Sequence, residues 1–575
     1  MKRLIYIAAL LLLAACGSPR NEEHTLHLLT TNDVHGRWFS SDYVNKSSRE
    51  SLLAVNWYVD SIRNAVGEEN VLLIDAGDCL QGDNASYYYN FVDTKSEHLF
   101  CRLMAYMKYD AVTVGNHDVE TGHAVYDRVN KELKRHGIPF LGGNAIRNDN
   151  GKPYFQPYKI FERAGMKVLV LGYTNANNPA WMDESLWSGM HFVSLIPKVQ
   201  EDVDRLVAKE KPDVVIVSVH SATGNGNGKS LEAQGKDLYE SLKGVDFVVC
   251  SHDHRQVTIC DGKKALINTG NRAKFLGHGE ITVTFKDGKP ADKKISAGLI
   301  SVDRRKTDPV MKKAFQKEYE TVKAFSNKEI GALAMDLRTR DAYSGMCDYV
   351  NLIHTVSLKG SGADISFAAP LSYNSTVKSG VLVYNDLFTI YPFENHLYTL
   401  RMKGKEIKDY LEFSYRGWLA PLGKDHVLNI SRQNDPRNNQ SGWSFVTRTY
   451  NFDSAAGINY TVDITQPFGK RINIESMADG CAFDPDADYT VAMTSYRASG
   501  AGGMLTRGAG IPEEELEKRI LHRYPEIREL LYDFIVEYGL IDDTAIYNVK
   551  KNGTWKFIPE ELANERIKAD LKLLF

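Results

Sequence analysis

The sequence predicts an α/β layered domain followed by an α+β domain, and three observations support this prediction. The chain has 575 residues, which is too long for one ordinary hydrophobic core. In the first half, short apolar runs alternate with helix-like stretches, as in layered α/β proteins. From about Gly331 onward, aromatic residues and glycines become more frequent and the regular alternation ends.

Composition is that of a folded protein, with 43% hydrophobic and 25% charged residues. The net charge of -3 gives no support for a basic face, so we expect no nucleic-acid polymer as a partner. The sequence also predicts no protein partner. Apart from Cys16, six scattered cysteines allow many disulfide pairings, which leaves their state open.

The first residues, "MKRLIYIAALLLLAACGS", predict an export signal that is not part of the fold. A basic start precedes an apolar run that is too short to span a bilayer. "LAAC" followed by Gly17 resembles a bacterial lipobox, which implies cleavage before Cys16 and lipid attachment to its thiol. The alternative is an ordinary signal peptide with a chance cysteine. We expect residues 1–16 to be the signal and lipobox cysteine, and residues 17–24 a polar stalk.

Seven apolar runs predict buried strands in a domain over residues 25–305. Each is rich in Val, Ile and Leu and is bounded by Gly, Asn or Asp. The runs lie in "LHLLTTNDVHG", "NVLLIDAGDCLQGD", "YDAVTVGNHD", "KVLVLGYTN", "DVVIVSVHS", "DFVVCSHDH" and "KALINTGN". Helices are predicted between some of them, around residues 98–108 and 124–135.

A charged stretch that begins near Asp308, "DPVMKKAFQKEYETVKAF", predicts a linker helix within residues 306–330 because it contains few turn residues. The second domain is predicted over residues 331–575. Its tail after Pro512 is predicted to be amphipathic and helical, with an interruption at Pro525.

Polar side chains of a restricted kind collect at the ends of five predicted strands. Ordinary loops would show mixed Ser, Thr, Lys and Glu, whereas these loops show Asp, His and Asn. Open α/β sheets place their sites at the carboxyl ends of strands, and mixed oxygen and imidazole ligands suit Zn, Mn or Fe. Each motif alone is weak evidence, but the ordered set of five predicts a metal site. Its predicted ligands are Asp33, His35, Asp78, Asn116, His220, His252 and His254.

The order "D-x-H … GD … GNHD … H … GH-x-H" resembles the calcineurin-like metallophosphoesterases, with Ser251 in place of the glycine of the last motif. This resemblance covers about residues 25–301. It implies two divalent ions, of Zn, Mn, Fe or Co, and attack on phosphorus by a hydroxide held between them. It assigns one ion to Asp33, His35, Asp78 and His254, and the other to Asp78, Asn116, His220 and His252.

The same resemblance implies a catalytic role for His117, which follows a predicted ligand directly. Relatives often carry an acidic partner three residues later, where this chain has Glu120. We expect Glu120 to orient the imidazole and favour its protonated form.

The second half is similar to the C-terminal substrate domain of the 5'-nucleotidase family, in "YPFENHLYTLRMKGKEIKDYLE" and "SYRASGAGGML". The branch of 5'-nucleotidases and nucleotide-sugar hydrolases usually carries an arginine in a segment that here reads "AAPLSYNSTVKSG" and lacks one. That segment, with "YNFD", "NYTVDITQP" and "NGTWKFIP", more closely resembles the 2',3'-cyclic-nucleotide 2'-phosphodiesterase/3'-nucleotidase branch.

By this resemblance, Tyr450 and Tyr496 sandwich the base and Arg497 reaches a phosphate. The alternatives are that the tyrosines pack in the core and that Arg497 is a buried structural residue.

The leading hypothesis is therefore a lipid-anchored enzyme, either facing the periplasm or on the cell surface. It would open 2',3'-cyclic nucleotides and then release the nucleoside. One alternative is a 5'-nucleotidase or UDP-sugar hydrolase. Another is a surface lipoprotein that binds nucleotides without catalysis.

Overall fold

The structure is a computed structural model that describes residues 21–432, 442–547 and 552–575. The predicted signal segment and the predicted lipidation site Cys16 lie outside the described residues. The chain divides into two compact units. The first ends at Glu320 and the second begins at Thr321, except that the short segment Pro179–Asp183 groups with the second unit.

The first unit contains fourteen described strands. These are β1 (Asn21–Thr31), β2 (Val71–Asp75), β3 (Ala111–Thr113), β4 (Phe140–Leu141), β5 (Ala145–Arg147), β6 (Tyr158–Arg163), β7 (Met166–Tyr173), β8 (Met190–Phe192), β9 (Val214–Val219), β10 (Phe247–Val249), β11 (Gln256–Cys260), β12 (Ala265–Thr269), β13 (Phe275–Lys286) and β14 (Lys289–Ser301).

The described α-helices of this unit include the two that the sequence predicts, Leu99–Tyr106 and His123–Arg135. In chain order they are α1 (Leu52–Val66), α2 (Asn84–Tyr87), α3 (Leu99–Tyr106), α4 (Asn116–Glu120), α5 (His123–Arg135), α6 (Leu195–Glu210), α7 (Gly235–Ser241), α8 (Pro309–Ala314) and α9 (Gln316–Ser326, which crosses into the second unit).

Two six-stranded sheets form the centre of the first unit, in the orders β14-β13-β1-β2-β3-β4 and β11-β12-β10-β9-β7-β6. Strands β1 to β4 run parallel, as do β7, β9, β10 and β12. The inner faces share one core, in which Leu28 and Ile74 of the first sheet cluster with Ile216 and Val249 of the second. Strand β2 is buried at all five positions, so both of its faces are covered.

Helices cover the outer face of the second sheet. Val199 and Leu206 of α6 cluster with Leu171 of β7 and Val217 of β9. The layered α/β architecture predicted from the alternating apolar runs is therefore confirmed. Because strands in such layers are buried on both faces, they appear in the sequence as continuous apolar runs.

Strand β1 begins four residues before the predicted domain start at residue 25. Residues 21–24 pair antiparallel with β13, so they belong to the sheet and not to a stalk. The predicted linker helix is two helices, α8 and α9. The first begins at an Asp308 cap with Pro309 in its first turn, an arrangement that satisfies free backbone donors and suits the fixed backbone angle of proline.

The second unit is α+β. Its strands are β15 (Glu329–Leu333), β16 (Leu337–Arg338), β17 (Ile365–Ala368), β18 (Thr376–Val377), β19 (Gly380–Val383), β20 (His396–Lys403), β21 (Ile430–Arg432), β22 (Trp443–Phe445), β23 (Ser454–Ala456), β24 (Ile458–Asp463), β25 (Ile472–Met477), β26 (Asp488–Thr494), β27 (Ile520–Glu526), β28 (Leu540–Ile541) and β29 (Trp555–Ile558). Its helices are α10 (Asp348–Ser361), α11 (Tyr384–Ile390), α12 (Gly404–Trp418), α13 (Ser495–Ala498), α14 (Glu513–Arg519), α15 (Ile527–Tyr538), α16 (Asp543–Ile546) and α17 (Glu560–Leu574).

A five-stranded sheet in the order β23-β17-β26-β20-β27 is the main sheet of the second unit. Helix α10 is buried at every position from Tyr349 to Leu358, and it shares a core with α15. On the other side of the unit, Trp418 of α12 clusters with Phe452 and Trp555.

The tail after Pro512 is helical on both sides of Pro525, in α14 and α15, but the interruption between them is a strand that the sequence does not predict. Residues around Pro525 form strand β27, which pairs with β20 at the edge of the main sheet. An edge strand tolerates proline because its missing N–H can face solvent, so tertiary pairing overrides the local helical pattern here. Within the described ranges, no helix is both long and apolar enough to cross a membrane. The six cysteines from Cys79 to Cys481 are free thiols.

Candidate functional site

The predicted ligands lie in loops that follow the carboxyl ends of parallel strands in both sheets of the first unit. Strands β1, β2 and β3 lead to the first four ligands along the chain, and β9 and β10 lead to the other three. Because the two sheets pack face to face, these loops meet at one edge of the sandwich. The structure thus brings all seven predicted ligands together.

Five of these ligands have a left-handed backbone, although none is glycine. The φ angles are 48° at Asp33, 49° at His35, 61° at Asp78, 71° at His252 and 58° at His254. Such conformations are uncommon for residues with a side chain, and they cluster where function requires an exact side-chain position. The strained backbone at these five positions is a second signal of a functional site, and sequence patterns do not show this signal.

The first group of side chains is Asp33, His35 and His254. The Nε2 atoms of His35 and His254 lie 3.0 Å apart, and Nε2 of His254 lies 3.6 Å from Oδ1 of Asp33. Nδ1 of His35 is hydrogen-bonded to the carbonyl oxygen of Gln81 at 3.2 Å. That bond leaves Nε2 free to act as a ligand, which is the usual arrangement of a metal-binding histidine.

The second group is Asp78, His220 and His252, with Asn116 beside them. Nε2 of His220 lies 3.1 Å from Oδ2 of Asp78. The Oδ1 atom of Asn116 lies 3.0 Å from Nε2 of His220 and 2.8 Å from Nδ1 of His252. Nδ1 of His220 is hydrogen-bonded to the carbonyl oxygen of Ala76 at 2.8 Å, so Nε2 is the nitrogen that faces Asp78 and Asn116.

The electrostatics of the two groups differ. Burial lowers the pKa of His254 to about 3, and burial together with His254 lowers the pKa of His35, so both rings are neutral and able to coordinate a cation. Burial also raises the pKa of Asp33. At His220 the effect of burial is outweighed by the carboxylate of Asp78, which raises the pKa of His220 to about 9.

The donor set fits divalent metal ions. Two buried carboxylates, one amide oxygen and four imidazoles are a mixed set typical of Zn, Mn or Fe sites. In the part of the chain that the structure describes, every ion pair of Asp33 and Asp78 is with an imidazole, and none is with Lys or Arg. Buried carboxylates require a cation partner, which bound metal ions would provide.

His117 lies beside these groups and belongs to neither. Its backbone N–H donates to Oδ1 of Asp78 at 2.8 Å, and its ring centre is 5.5 Å from that of His35. Nδ1 of His117 is hydrogen-bonded to Oε2 of Glu120, so the structure places this predicted pair in direct contact. The side chain of His117 is partly exposed, which leaves its ring accessible to a ligand.

Two residues that hold the predicted ligands in place were not among the predicted site residues. Asp118 accepts hydrogen bonds from the backbone N–H groups of Asp78, Cys79, Leu80 and Gly115, and thereby ties the β2 and β3 loops together. It lies inside the "GNHD" motif, so the motif contained that signal. Glu232 is hydrogen-bonded through Oε1 to Nε2 of His252 at 3.1 Å, and no sequence motif marks it.

Gly115 is required by the close approach of these loops. A Cβ atom at this position would lie 2.1 Å from Oδ1 of Asp78, so only glycine lets the β3 loop pack against that carboxylate.

In the second unit, Arg497 links the two predicted base-stacking tyrosines. Nη2 of Arg497 donates to the carbonyl oxygen of Tyr450 at 2.6 Å, and its guanidinium carbon lies 5.4 Å from the ring centre of Tyr496. Both tyrosines are half-buried and belong to neither core, so their rings remain partly available. Phe393 packs edge-on against Tyr450 at 6.2 Å.

Arg497 itself is only 4% exposed, and its guanidinium forms an ion pair with Asp453. Nε donates to Oδ2 at 2.8 Å and Nη2 donates to Oδ1 at 3.1 Å. This geometry favours the structural alternative over the predicted phosphate contact, because the guanidinium donors are already used inside the protein.

Comparison with known proteins finds a matching family model in each half of the chain. Residues 324–507 match the model of the 5'-nucleotidase C-terminal domain, and residues 34–268 match that of the bacterial capsule synthesis protein PGA_cap. The trifunctional nucleotide phosphoesterase protein YfkN of Bacillus subtilis is 22% identical over 95% of this chain, which spans only 40% of that protein's length.

Two further similarities extend over most of both chains. The 2',3'-cyclic-nucleotide 2'-phosphodiesterase/3'-nucleotidase of Haemophilus influenzae is 23% identical, over 93% of this chain and 87% of its own. A crystal structure from Staphylococcus aureus, assigned as a 5'-nucleotidase, superimposes with a TM-score of 0.74 at 22% identity. It covers 93% of this chain and 99% of its own, which supports the same fold.

Proposed function

We infer that the chain belongs to the 5'-nucleotidase family, and from that premise we propose that it hydrolyses nucleotide phosphoesters with the help of divalent metal ions. The observation that carries this proposal is the pair of ligand groups in the first unit with the ring of His117 beside them. A protein that only binds nucleotides has no need of this combination.

The metal-binding part of the proposal assigns the seven ligands to two neighbouring positions. Asp33, His35 and His254 would hold one ion, and His220, His252 and Asn116 another, with Asp78 placed to serve both. Bound ions supply charge to neutralise phosphoryl oxygens and lower the pKa of water. The protein's own part is to keep these ligands fixed, through strained loops and hydrogen bonds to Ala76, Gln81 and Glu232.

His117 is the proposed catalytic residue. Hydrogen bonding of Nδ1 to Glu120 orients the ring and favours its protonated form, so Nε2 can donate a proton or hydrogen bond to the phosphoryl group or the leaving oxygen. Glu120 acts through His117 and is a positioning residue.

For the nucleoside, we propose that the rings of Tyr450 and Tyr496 stack on the base. Stacking tolerates any base because every base has a π-face, and it is worth ~1–3 kcal/mol per base. Arg497 acts here by holding the Tyr450 backbone and packing on Tyr496, and not by touching phosphate.

Within the family, we favour 2',3'-cyclic nucleotides and 3'-nucleotides as substrates. The segment "AAPLSYNSTVKSG" has no arginine to grip a phosphate, and its one basic residue, Lys378, is paired with Asp336 at 2.9 Å. The similarity to the Haemophilus influenzae protein of that name also supports this choice, since it spans nearly the whole of both chains.

The test is a side-by-side assay of 2',3'-cyclic AMP, 3'-AMP and 5'-AMP with Mn²⁺ or Zn²⁺. Faster turnover of the first two supports the proposed substrates. Faster turnover of 5'-AMP would favour the alternative of a 5'-nucleotidase or UDP-sugar hydrolase. If the protein binds the metal and turns over none of the three, the candidates become other phosphoesters and the non-catalytic nucleotide-binding hypothesis.

We also propose that the protein is exported and anchored by lipid at Cys16, on the evidence of the "LAAC" sequence. Radiolabelled palmitate should enter the wild-type protein and not the Cys16→Ser variant. Equal labelling of both would contradict the anchor.

A further inference from the structure

A second cluster of metal-capable side chains lies on the first sheet, outside the candidate site. It consists of His27 on β1 and of His278 and Glu280 on β13. The two strands are neighbours, and His27 is directly opposite Glu280 in their antiparallel register. All three side chains therefore project from the same face of the sheet.

The distances within this cluster suit coordination of one ion. Nδ1 of His27 lies 3.0 Å from Nε2 of His278 and 3.7 Å from Oε1 of Glu280, while Nε2 of His278 lies 4.0 Å from the same oxygen. Zinc–nitrogen bonds are about 2.0–2.1 Å long and tetrahedral zinc brings ligand atoms to comparable mutual distances. The same 3.0 Å separation of two imidazole nitrogens occurs between His35 and His254.

The environment keeps the three groups partly desolvated but reachable. The exposed fractions of the side chains are 13% at His27, 22% at His278 and 49% at Glu280. Burial lowers the pKa of His278, so its ring is neutral and can ligate a cation. Ser296 Oγ donates to Oε2 of Glu280 at 3.5 Å, whereas the two histidine contacts are to Oε1.

This cluster is separate from the candidate site. His27 precedes Asp33 by six residues, most of them in an extended strand, which corresponds to about 20 Å along the chain. No side chain belongs to both sets.

We propose that His27, His278 and Glu280 form a separate binding site for one Zn²⁺ ion. Two imidazoles and one carboxylate are a common zinc ligand set, and three protein ligands leave a position for water. Such an ion would join β1 to β13 across 251 residues of sequence, so it would stabilise the first strand of the unit against local opening.

The test is zinc stoichiometry of untagged, purified full-length protein, measured by elemental mass spectrometry after dialysis against buffered Zn²⁺. Wild type, His278→Gln, His27→Gln and Glu280→Gln are compared, and far-UV circular dichroism checks folding. The matched control is His24→Gln, because His24 lies on the same strand but is hydrogen-bonded to the carbonyl oxygen of Ala164.

We expect His278→Gln and His27→Gln to bind one zinc equivalent less than wild type, whereas the His24→Gln control retains the full number. The rise in melting temperature on adding zinc should be smaller in the two cluster variants than in the control. Nucleotide turnover should stay near wild type, which separates this site from the candidate catalytic site. Equal zinc content in wild type and every cluster variant that folds would overturn the proposal, and so would an equal loss in the control.

Discussion

Arg497 and Asp453 form a buried two-point ion pair in the second unit, with Nε–Oδ2 and Nη2–Oδ1 distances of 2.8 and 3.1 Å. The same guanidinium holds the backbone of Tyr450 and packs against the ring of Tyr496. Both tyrosines proposed to stack on the base thus depend on one internal ion pair.

Replacing Arg497 should therefore weaken the fold of the second unit. Arg497→Ala leaves the Asp453 carboxylate buried without its partner, which costs about 3–5 kcal/mol. Urea unfolding measures this loss. Arg566→Ala, at an exposed arginine, is the control and should change stability by less than about 0.5 kcal/mol. If Arg497→Ala raised KM without loss of stability, the result would support the direct phosphate contact that the sequence predicts.

His117→Ala should lower kcat for nucleotides by about 10²–10⁴-fold, because the proposed proton donor is removed. Metal content should remain at the wild-type level, since His117 is outside both ligand groups. Glu120→Gln should cause a smaller loss because it acts only by orienting the ring. His123→Ala, at a nearby histidine bonded to Tyr154, should leave kcat unchanged. Unaltered turnover in His117→Ala would remove that residue from the mechanism.

Tyr450→Ala should raise KM for nucleotides roughly 5- to 150-fold, the equivalent of one lost stacking contact of ~1–3 kcal/mol. A small aryl phosphate diester has no nucleobase, so its KM should stay nearly constant. Steady-state kinetics on both substrates make the comparison, with Tyr538→Ala as the control for a half-exposed tyrosine. Equal losses on both substrates would indicate a structural role for Tyr450.

Glu232→Gln should lower metal affinity by about 10–100-fold, because its carboxylate orients the ring of His252. At saturating metal, kcat should recover toward the wild-type value. Metal titration of metal-free protein provides the measurement. Glu240→Gln is a suitable control, since Glu240 is an exposed acid that pairs with Lys236. An affinity equal to wild type would show that the contact with His252 has no such role.

His354 should make the second unit less stable in acid. Its ring lies between the hydroxyls of Ser366 and Ser454, and burial lowers its pKa from 6.5 to about 3. Below pH 6.5, His354 becomes protonated in the unfolded chain but stays neutral in the folded protein. The contribution of neutral His354 to the free energy of unfolding is therefore complete above pH 6.5. It falls by about 1.4 kcal/mol per pH unit toward pH 3.

Urea unfolding of wild type and His354→Gln at pH 7.5 and pH 5 tests the direction of this pH dependence of stability. Between these pH values the variant should lose about 2 kcal/mol less than wild type, because glutamine does not titrate. Identical pH dependence of the two proteins would contradict a neutral, buried His354.

Much of the first unit could be predicted because its signals are local. Buried parallel strands appear as short runs of Val, Ile and Leu, and the residues that follow each run mark a strand end. The tail of the second unit was less predictable. Strand β27 contains Pro525 and has a sequence suited to a helix end, yet it pairs with β20, which lies about 120 residues earlier.

The sequence by itself determined which chemical groups follow which strand, including the ligand motifs and the pair of His117 and Glu120, because those residues are neighbours in the chain. Only the tertiary structure decided that Arg497 pairs with Asp453 and that His27 contacts His278. These contacts join residues 44 to 251 positions apart. They depend on strand order, register and the packing of sheets, which no local pattern specifies.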